Sequence, residues 1–285
     1  MGGVLAAITV PVIWAIWLTA TRAGVTGGLS ALDAGLLRFV IPAVVLLPVA
    51  WKSLPAYREA GLLRCLLIVW GAGAPFFMIA ATGMKQVPMA DIGSLMPGTM
   101  PIFVMILAAL VDRRLPSIAK LMGVALVLGG VLLFLAPSLI GGGQWQGQVT
   151  VMSAACCWAV YTLAYRNSGL SPWAAAALIS SVSGVLFLGA AVHWGSHLLE
   201  VPTQTLLWQL AIQGVLTGLV SLAVYGVAVA RLGAGASLYG ALTPAIAALL
   251  AIPVLGEYPS VMAWLGLGLI TLGVIFAVRP QAVRT

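Results

Sequence analysis

Charged side chains are scarce in this chain of 285 residues. They form 7% of it, against 62% for hydrophobic residues, whereas a soluble globular domain carries about 25% charged residues. The polar side chains are too few to cover a water-soluble globule, so most of the surface must face hydrocarbon. There the backbone has to bond to itself, in helices or closed barrels. Stretches such as 121–135 lack the polar–apolar alternation of barrel strands, so we predict an all-α polytopic membrane protein.

Acidic residues are the rarest charged type, and they avoid the apolar stretches. The six are Asp33, Glu59, Asp91, Asp112, Glu200 and Glu257, all in loops or near the ends of predicted spans. Proton-coupled carriers commonly use a carboxylate buried in the membrane. Since no carboxylate falls at the centre of a span, the sequence favours a carrier that is driven by the gradient of its solute.

Residues for catalysis, metal binding and disulfides are few as well. Cys65, Cys156 and Cys157 lie in or beside apolar runs, which is typical of buried thiols. His193 and His197 have the spacing of a zinc pair, but no glutamate lies between them and no third ligand is evident. Neither a Walker motif nor a serine–histidine–aspartate set is present. We therefore expect no enzyme activity, metal or cofactor, and the net charge of +7, spread among loops, does not indicate nucleic acid as a partner.

Ten apolar segments have the length of a membrane-spanning helix, which is about 20 residues. They are residues 4–21, 32–51, 63–84, 90–111, 117–136, 147–166, 173–193, 206–229, 235–254 and 260–279. With a cytoplasmic N-terminus, the inner loops and tail hold Lys52, Arg58, Arg64, Arg113, Arg114, Lys120, Arg166, Arg231, Arg279 and Arg284. Only Arg22 and Lys85 fall at the outer ends, and such a bias is typical of cytoplasmic loops. The sequence thus predicts a multi-pass protein of the cytoplasmic (inner) membrane with both termini in the cytoplasm.

The second half of the chain repeats the first at an offset of 143 or 144 residues. The repeated residues Trp14, Arg22, Ser94, Pro101, Gly123, Gly130 and Pro137 recur as Trp158, Arg166, Ser237, Pro244, Gly266, Gly273 and Pro280. We predict two five-helix repeats, residues 1–137 and 147–285, joined by a periplasmic linker, residues 138–146. Because five is an odd number, the second repeat is inverted relative to the first. Inverted repeats are typical of transporters, with the substrate site at the repeat interface.

These repeats resemble the drug/metabolite transporter superfamily, in its ten-span branch with two EamA-type repeats. The likeness rests on Trp14-Ala15-Ile16-Trp17 through Arg22, on Arg38-Phe39, and on Ala230 to Gly233 followed by Ser237, Pro244 and Leu255-Gly256-Glu257. The first repeat departs from the family pattern at Asp112-Arg113-Arg114, where Gly-Glu is usual. The resemblance implies a secondary carrier, and the ten-span bacterial members include exporters of amino acids, aromatic ones among them. It also implies a central cavity enclosed by spans 1, 3, 4, 6, 8 and 9, with spans 5 and 10 outside it.

Aromatic and hydroxyl side chains share single faces of the predicted helices. Trp14, Trp17 and Thr21 lie on one face of span 1. The other candidates for substrate binding are Phe77, Ser94, Trp158, Tyr161, Tyr165, Ser221, Tyr225 and Ser237. A tryptophan inside a span needs a partner for its N–H or a wet cavity, which favours an aromatic-walled cavity. Plain helix packing is the alternative.

Proline and arginine inside spans are further candidates. Pro75, Pro97, Pro101 and Pro244 predict kinks that serve gating, or else static kinks filled by a neighbouring helix. Arg38 is the one arginine or lysine that lies away from the ends of a span, so it should pair or reach water. We expect a structural ion pair with Asp33 or Asp91, with binding of a substrate carboxylate as the alternative.

Export of amino acids or similar small metabolites by alternating access, by a monomer in lipid, is the function that these features favour. A carrier for another small solute, such as a nucleoside, a vitamin or a lipophilic cation, remains open because an aromatic cavity suits many planar solutes. An intramembrane enzyme would need a catalytic cluster in the spans, and none is visible. A channel would be expected to have a continuous polar pore, and the duplication within a single chain argues against a channel.

Overall fold

The computed structural model describes residues 2–113, 117–141, 143–166, 168–221, 224 and 242–278. Its α-helices are α1 (Gly2–Thr26), α2 (Ala31–Val45), α3 (Leu47–Lys52), α4 (Leu54–Ala60), α5 (Leu62–Ala72), α6 (Ala74–Gln86), α7 (Met89–Asp112), α8 (Ile118–Ile140), α9 (Trp145–Arg166), α10 (Pro172–Trp194), α11 (Thr203–Gln209), α12 (Thr243–Leu255) and α13 (Val261–Val278). A 3-10 helix (Leu198–Glu200) precedes α11, and a π-helix (Leu210–Val220) continues it. No β-strand occurs in these described residues, so the all-α class predicted from the sequence holds.

Helices occupy each of the ten predicted spans as far as the described residues reach. Five helical segments are long and apolar enough to cross a membrane: Ile8–Thr26, Leu62–Gln86, Met89–Asp112, Trp145–Arg166 and Pro172–Trp194. Shorter apolar helices cover Lys120–Ala136, Thr243–Leu255 and Val261–Phe276. Parts of predicted spans 8 and 9 lie outside the described residues, so the count of ten spans stays a prediction.

Predicted span 3 is broken into two helices at Gly73. α5 ends at Ala72, and α6 begins at Ala74 with Pro75 in its first turn, where proline is well suited to start a helix. The N–H of Ala74 donates to Oγ of Ser183 on α10 at 2.9 Å. This bond satisfies a backbone group that would otherwise lie bare in hydrocarbon. A Cβ on Gly73 would lie 2.3 Å from the same oxygen, so contact with α10 fixes the break.

Helices α8 and α13, which belong to corresponding parts of the two sequence repeats, contact each other at glycine residues. A Cβ on Gly130 would lie 2.7 Å from the carbonyl oxygen of Gly266, and one on Gly273 would lie 2.6 Å from that of Gly123. Such close backbone approach is typical of small residues between membrane helices. Since residue numbers rise along α8 as they fall along α13, the two helices run antiparallel.

The π-helix was not predicted from the sequence. Within it, Oγ1 of Thr217 lies 2.8 Å from the carbonyl oxygen of Ile212 and 2.9 Å from that of Gln213, and its single hydroxyl proton is shared between them. π-helical turns are rare and are frequent at functional sites. Here the π-helix faces α1 and α2, which places its polar side chains next to the cavity described below.

Candidate functional site

A cavity of about 250 Å³ lies among α1, α2, α6, α7, α9, the π-helix and α12. Its described lining residues are Trp14, Trp17, Leu18, Arg38, Phe76, Met96, Pro97, Met100, Trp158, Tyr161, Thr162, Tyr165, Thr217, Ser221 and Thr243. At liquid density a water molecule occupies about 30 Å³, so the cavity has the size of a small solute. No residue of α8 or α13 is among these lining residues.

Aromatic rings form one wall of the cavity, centred on Trp158. The ring of Trp158 lies 6.2 Å from that of Trp14, 5.4 Å from that of Phe76 and 5.1 Å from that of Tyr161, measured between centroids. Tyr161 in turn stacks on Tyr165 at 5.8 Å. Edge and stacked contacts of this kind hold the rings in place. Ring faces and edges that are left half-buried can therefore contact a planar or apolar solute.

Arg38 is the one charged residue among the described lining residues. Its Cζ lies 4.5 Å from the ring centroid of Trp17 and 5.6 Å from those of Phe39 and Phe77, and Nη1 donates to Oγ1 of Thr217 at 3.1 Å. Cation–π contacts stabilise by about 0.5–2 kcal/mol, whereas an arginine at the centre of a span costs about 3 kcal/mol. The rings therefore offset the cost in part, and Nε, which is enclosed, has no partner among the described residues.

A second cavity of about 90 Å³ adjoins Arg38. It shares Arg38, Trp158, Tyr161 and Thr217 with the larger cavity. The side chain of Arg38 therefore lies between two spaces.

A buried hydrogen-bond network closes the cavity on the side of Arg22. Nε1 of Trp17 donates to Oε1 of Gln213 at 3.0 Å, and Nε2 of Gln213 donates to Oγ1 of Thr21 at 2.8 Å. One turn along, Nε2 of Gln209 donates to the carbonyl oxygen of Ala20 at 2.7 Å. All the side chains of this network are buried. Because every donor named here has a partner, the network stabilises the contact between α1 and the π-helix.

Two ion pairs lie at opposite ends of α7. At its N-terminal end, Nη2 of Arg22 lies 3.0 Å from Oε1 of Glu257, and Glu257 also accepts from the backbone N–H of Met89. At its C-terminal end, Nη2 of Arg166 lies 2.9 Å from Oδ1 of Asp112. The 24 residues of α7 span about 36 Å. The C-terminal part of α1 therefore lies at the N-terminal end of α7, and the C-terminal end of α9 lies at the C-terminal end of α7.

The expected ion pair of Arg38 with Asp33 or Asp91 is wrong. Asp33 lies in the first turn of α2 and accepts from the hydroxyls of Ser30 and Ser196, both at 2.6 Å. Asp91 lies in the first turn of α7 and accepts from Nε2 of Gln148 at 2.6 Å. Both carboxylates serve helix starts, whereas Arg38 lies deeper in its helix and faces the cavity.

The other predicted binding residues divide into two groups. Trp14, Trp17, Trp158, Tyr161, Tyr165 and Ser221 lie together in the cavity wall, and Nε1 of Trp14 is 3.3 Å from Oγ of Ser221. Thr21 lies in the buried network, Ser94 is buried on α7, and Phe77 is buried against Phe39 and Phe187. The structure does not bring these three into the described lining. Tyr225 and Ser237 lie outside the described residues.

The four prolines predicted to kink helices lie at two kinds of position, inside a helix and in the first turn of a helix. Pro97 is inside α7 and lines the cavity, and Pro101 lies one turn further along the same helix. Pro75 is in the first turn of α6, directly after the break of predicted span 3 at Gly73, and Pro244 is in the first turn of α12, where the described residues resume at 242. Their part in gating stays a prediction.

Several lining residues were not predicted to bind a solute. Arg38 was expected mainly as a structural residue, and Thr217, Thr243, Met96 and Met100 were not singled out. A polar stripe was the available signal, since Gln209, Gln213, Thr217 and Ser221 recur every four residues in an apolar span.

No group of three or more metal-ligating side chains occurs in the part of the chain that the structure describes. His193 packs against Trp194, with ring centroids 5.0 Å apart. Nδ1 of His197 lies 3.0 Å from Oε1 of Glu200, and this hydrogen bond raises the pKa of His197. The zinc-like spacing of the two histidines thus corresponds to separate surface contacts.

The chain is similar to membrane transporters along nearly its whole length. A sequence profile of the EamA-like transporter family matches residues 1–136 and again residues 145–279. The chain is 23% identical over 273 residues to the uncharacterized inner membrane transporter YedA of Escherichia coli K12, an alignment that covers 93% of this chain and 86% of YedA. YedA of E. coli O6:H1 matches to the same extent. A crystal structure that shares the fold has a TM-score of 0.62 at 19% identity and covers 96% of both chains. This chain belongs to the EamA-like transporter family of the drug/metabolite transporter superfamily, and it is a membrane transporter.

Proposed function

We propose that the chain is a secondary transporter that exports amino acids or similar small metabolites across the cytoplasmic membrane by alternating access. The observation that carries this proposal is the cavity of about 250 Å³, whose wall combines aromatic rings with a few polar groups. Small-molecule sites have this composition, in which apolar surface supplies contact area and polar groups set orientation. A solute of amino-acid size matches both the volume and the wall.

An inverted arrangement of two repeats is part of the proposal. Trp14 and Arg22 on α1 correspond in sequence to Trp158 and Arg166 on α9. α1 points its C-terminal end at the start of α7, whereas α9 points its own at the end of α7. Counterpart helices thus run in opposite directions, as an in-plane two-fold axis requires.

The glycines of α8 and α13 support the same axis. Gly123 corresponds to Gly266 and Gly130 to Gly273 in the sequence repeat. The contacts join Gly123 to Gly273 and Gly130 to Gly266. In a two-fold contact, residue i of one copy meets j of the other while j meets i. The glycine pairs follow this rule, which favours the two repeats over a chance resemblance of two helices.

Alternating access needs a closure at each end of the cavity, and the two ion pairs supply candidates. The pair of Arg22 with Glu257 is more enclosed, with side-chain exposures of 13% and 26%, and lies beyond the buried network. The pair of Arg166 with Asp112 is half-exposed, at 43% and 41%, and follows directly on Tyr165, which lines the cavity. We assign the looser pair to the end that opens first, on the cytoplasmic side in the predicted topology.

The described lining contains no acidic side chain. A carboxylate that exchanges a proton for the solute is commonly found in such a wall, so we expect transport driven by the solute gradient.

Transport in proteoliposomes tests this function. Vesicles that contain the purified chain are loaded with unlabelled amino acids, one at a time, and uptake of the same labelled amino acid by exchange is measured. We expect exchange for at least one amino acid with an apolar or aromatic side chain, without a requirement for a pH gradient. Exchange of nucleosides or lipophilic cations but of no amino acid would replace the proposed substrate, and strict dependence on a pH gradient would remove the proposed driving force.

A further inference from the structure

Arg38 places a positive charge in the cavity wall that no acidic residue balances. All six acidic residues of the chain belong to the described part, and each has a different environment. Glu257, Asp112 and Glu200 pair with Arg22, Arg166 and His197. Asp33 and Asp91 accept from hydroxyl and amide groups, and Glu59 is exposed on α4. None of the six acidic side chains is therefore placed to neutralise Arg38.

The free donors of Arg38 have a defined geometry. Nη1 is engaged by Oγ1 of Thr217, whereas Nε is enclosed without a partner among the described residues. The edge formed by Nε and Nη2 is the side that a carboxylate engages with both oxygens, through two parallel hydrogen bonds. Thr243 lines the same cavity from α12, and its Oγ1 is also buried without a partner in the described part. Both groups are donors that no described group of the protein satisfies.

We propose that Arg38 binds the carboxylate of the transported solute through its guanidinium group. The body of the solute then lies against the rings of Trp14, Trp158 and Tyr161, which face the same space. This inference rests on the proposed function, because it names the group by which the proposed cavity recognises its solute. An amino acid and a simple carboxylic acid share this group, whereas a lipophilic cation is repelled by Arg38.

Trp17 and Thr217 hold the guanidinium where the inference needs it. The ring of Trp17 covers the guanidinium at 4.5 Å and is itself fixed by its hydrogen bond to Gln213. Thr217 accepts from Nη1, and its one hydroxyl proton points at two backbone carbonyl oxygens of the π-helix. With two fixed neighbours, the guanidinium has lost rotamer freedom before the solute arrives, and such preorganisation favours binding.

Four compounds that share a phenylethyl group test the inference on the unaltered protein. They are L-phenylalanine, 3-phenylpropionate, phenylalaninamide and 2-phenylethylamine, of which only the first two carry a carboxylate. Binding to the full chain in lipid nanodiscs is measured by titration calorimetry. We expect the two carboxylates to bind at least about ten-fold more tightly than the amide and the amine. Equal affinities across the four would overturn the inference, and the comparison of the first two separates an amino-acid carrier from a carrier of simple acids.

Variants of Arg38 then assign the effect to this residue. We expect Arg38→Gln to weaken binding of the carboxylates at least about ten-fold while leaving the weak amide and amine unchanged, and Arg38→Lys to restore part of the loss. Arg58→Gln, which removes an exposed arginine on α4, is the matched control and should bind as the parent does. Melting temperature reports whether each variant folds. If Arg38→Gln does not fold, the affinities of the four compounds for the parent protein decide whether the carboxylate is recognised.

Failure of the inference and failure of the proposed function give different results. Preference for carboxylates that survives Arg38→Gln in a folded protein would overturn the role of Arg38 and leave amino-acid transport standing. Binding of none of the four compounds, together with no exchange of any amino acid in proteoliposomes, would overturn both.

Discussion

Arg22 and Arg166 occupy equivalent positions in the two sequence repeats, yet they lie at opposite ends of α7. Each forms an ion pair with an acidic residue at or just beyond the C-terminal end of a helix in the other half of the chain, Glu257 for Arg22 and Asp112 for Arg166. The first repeat lacks the family's usual Gly-Glu at this place, but Asp112 supplies a carboxylate for the same kind of contact. The two equivalent arginines thus each form an ion pair at one end of α7.

The two ion pairs should differ in their contribution to stability. We expect Glu257→Gln to lower the free energy of unfolding by about 1.5–3 kcal/mol, because a largely enclosed arginine and the N–H of Met89 lose a charged acceptor. Asp112→Asn should cost less than about 1 kcal/mol, since that pair is half-exposed and screened by salt. Glu59→Gln, at an exposed position of α4, is the control. Thermal unfolding in detergent measures all three, and equal losses for Glu257→Gln and Asp112→Asn would contradict the difference in enclosure.

Neighbouring glycines of α8 offer a test of the crossing with α13. Gly130→Ala should destabilise by about 1–3 kcal/mol, because the new Cβ would lie 2.7 Å from the carbonyl oxygen of Gly266 and from a side-chain carbon of Ile270. Gly129→Ala should be neutral or slightly stabilising, since its nearest neighbour is a side-chain carbon of Leu269 at 4.0 Å and alanine favours the helix. Melting temperatures of the two variants are compared with the parent. A similar melting temperature for both would show that the helices do not cross at Gly130.

Trp17 and Trp158 should respond differently to truncation. Trp17 is 7% exposed and donates to the fully buried Gln213, so Trp17→Ala leaves both a cavity and an unpaired amide, at about 3–5 kcal/mol. Trp158 is half-buried in the cavity wall, so Trp158→Ala should reduce solute exchange several-fold with a much smaller change in stability. Trp194→Ala, at a 73% exposed position of α10, is the control for loss of a tryptophan as such. Unfolding and exchange are measured on each variant, and a large loss of stability for Trp158→Ala with normal exchange would assign Trp158 to packing.

The sequence predicts the helical faces of the site better than the role of each residue on them. Trp14, Trp17 and Thr21 were predicted to share one face, and the structure places them along one side of α1. Whether a side chain on that face meets the cavity or a neighbouring helix depends on the neighbour. Gln213, whose place in a polar stripe does not reveal which helix it meets, captures Trp17 and Thr21 by hydrogen bonds, and Thr21 lies outside the described cavity lining.

Arg38 and the π-helix show a second limit of the same kind. The cost of a charge inside the membrane predicts that Arg38 must have a partner, and nearness in sequence favours Asp33. In the structure, however, the carboxylate of Asp33 accepts from the hydroxyls of Ser30 and Ser196 instead. A π-helix changes the angle between successive side chains, so an α-helical projection misplaces the polar residues that follow Leu210. Thr217 thereby reaches the carbonyl oxygen of Ile212, five residues earlier, as well as Arg38, and α-helical periodicity does not predict the contact over five residues.

The inverted topology predicts that the two ends of α7 lie on opposite sides of the membrane. Arg113 follows the C-terminal end of α7, whereas Tyr258, which is 79% exposed, follows Glu257 near its N-terminal end. Each is replaced by cysteine in a chain whose own cysteines, Cys65, Cys156 and Cys157, are first replaced by serine, and exchange activity confirms that the parent of the series still functions. We expect a membrane-impermeant maleimide added to intact cells to label Tyr258→Cys and to reach Arg113→Cys only after the cells are opened, because about 36 Å of helix separates the two positions. Labelling of both cysteines from the same side would show that α7 does not cross the membrane. The opposed directions of α1 and α9 would then no longer support an inverted repeat.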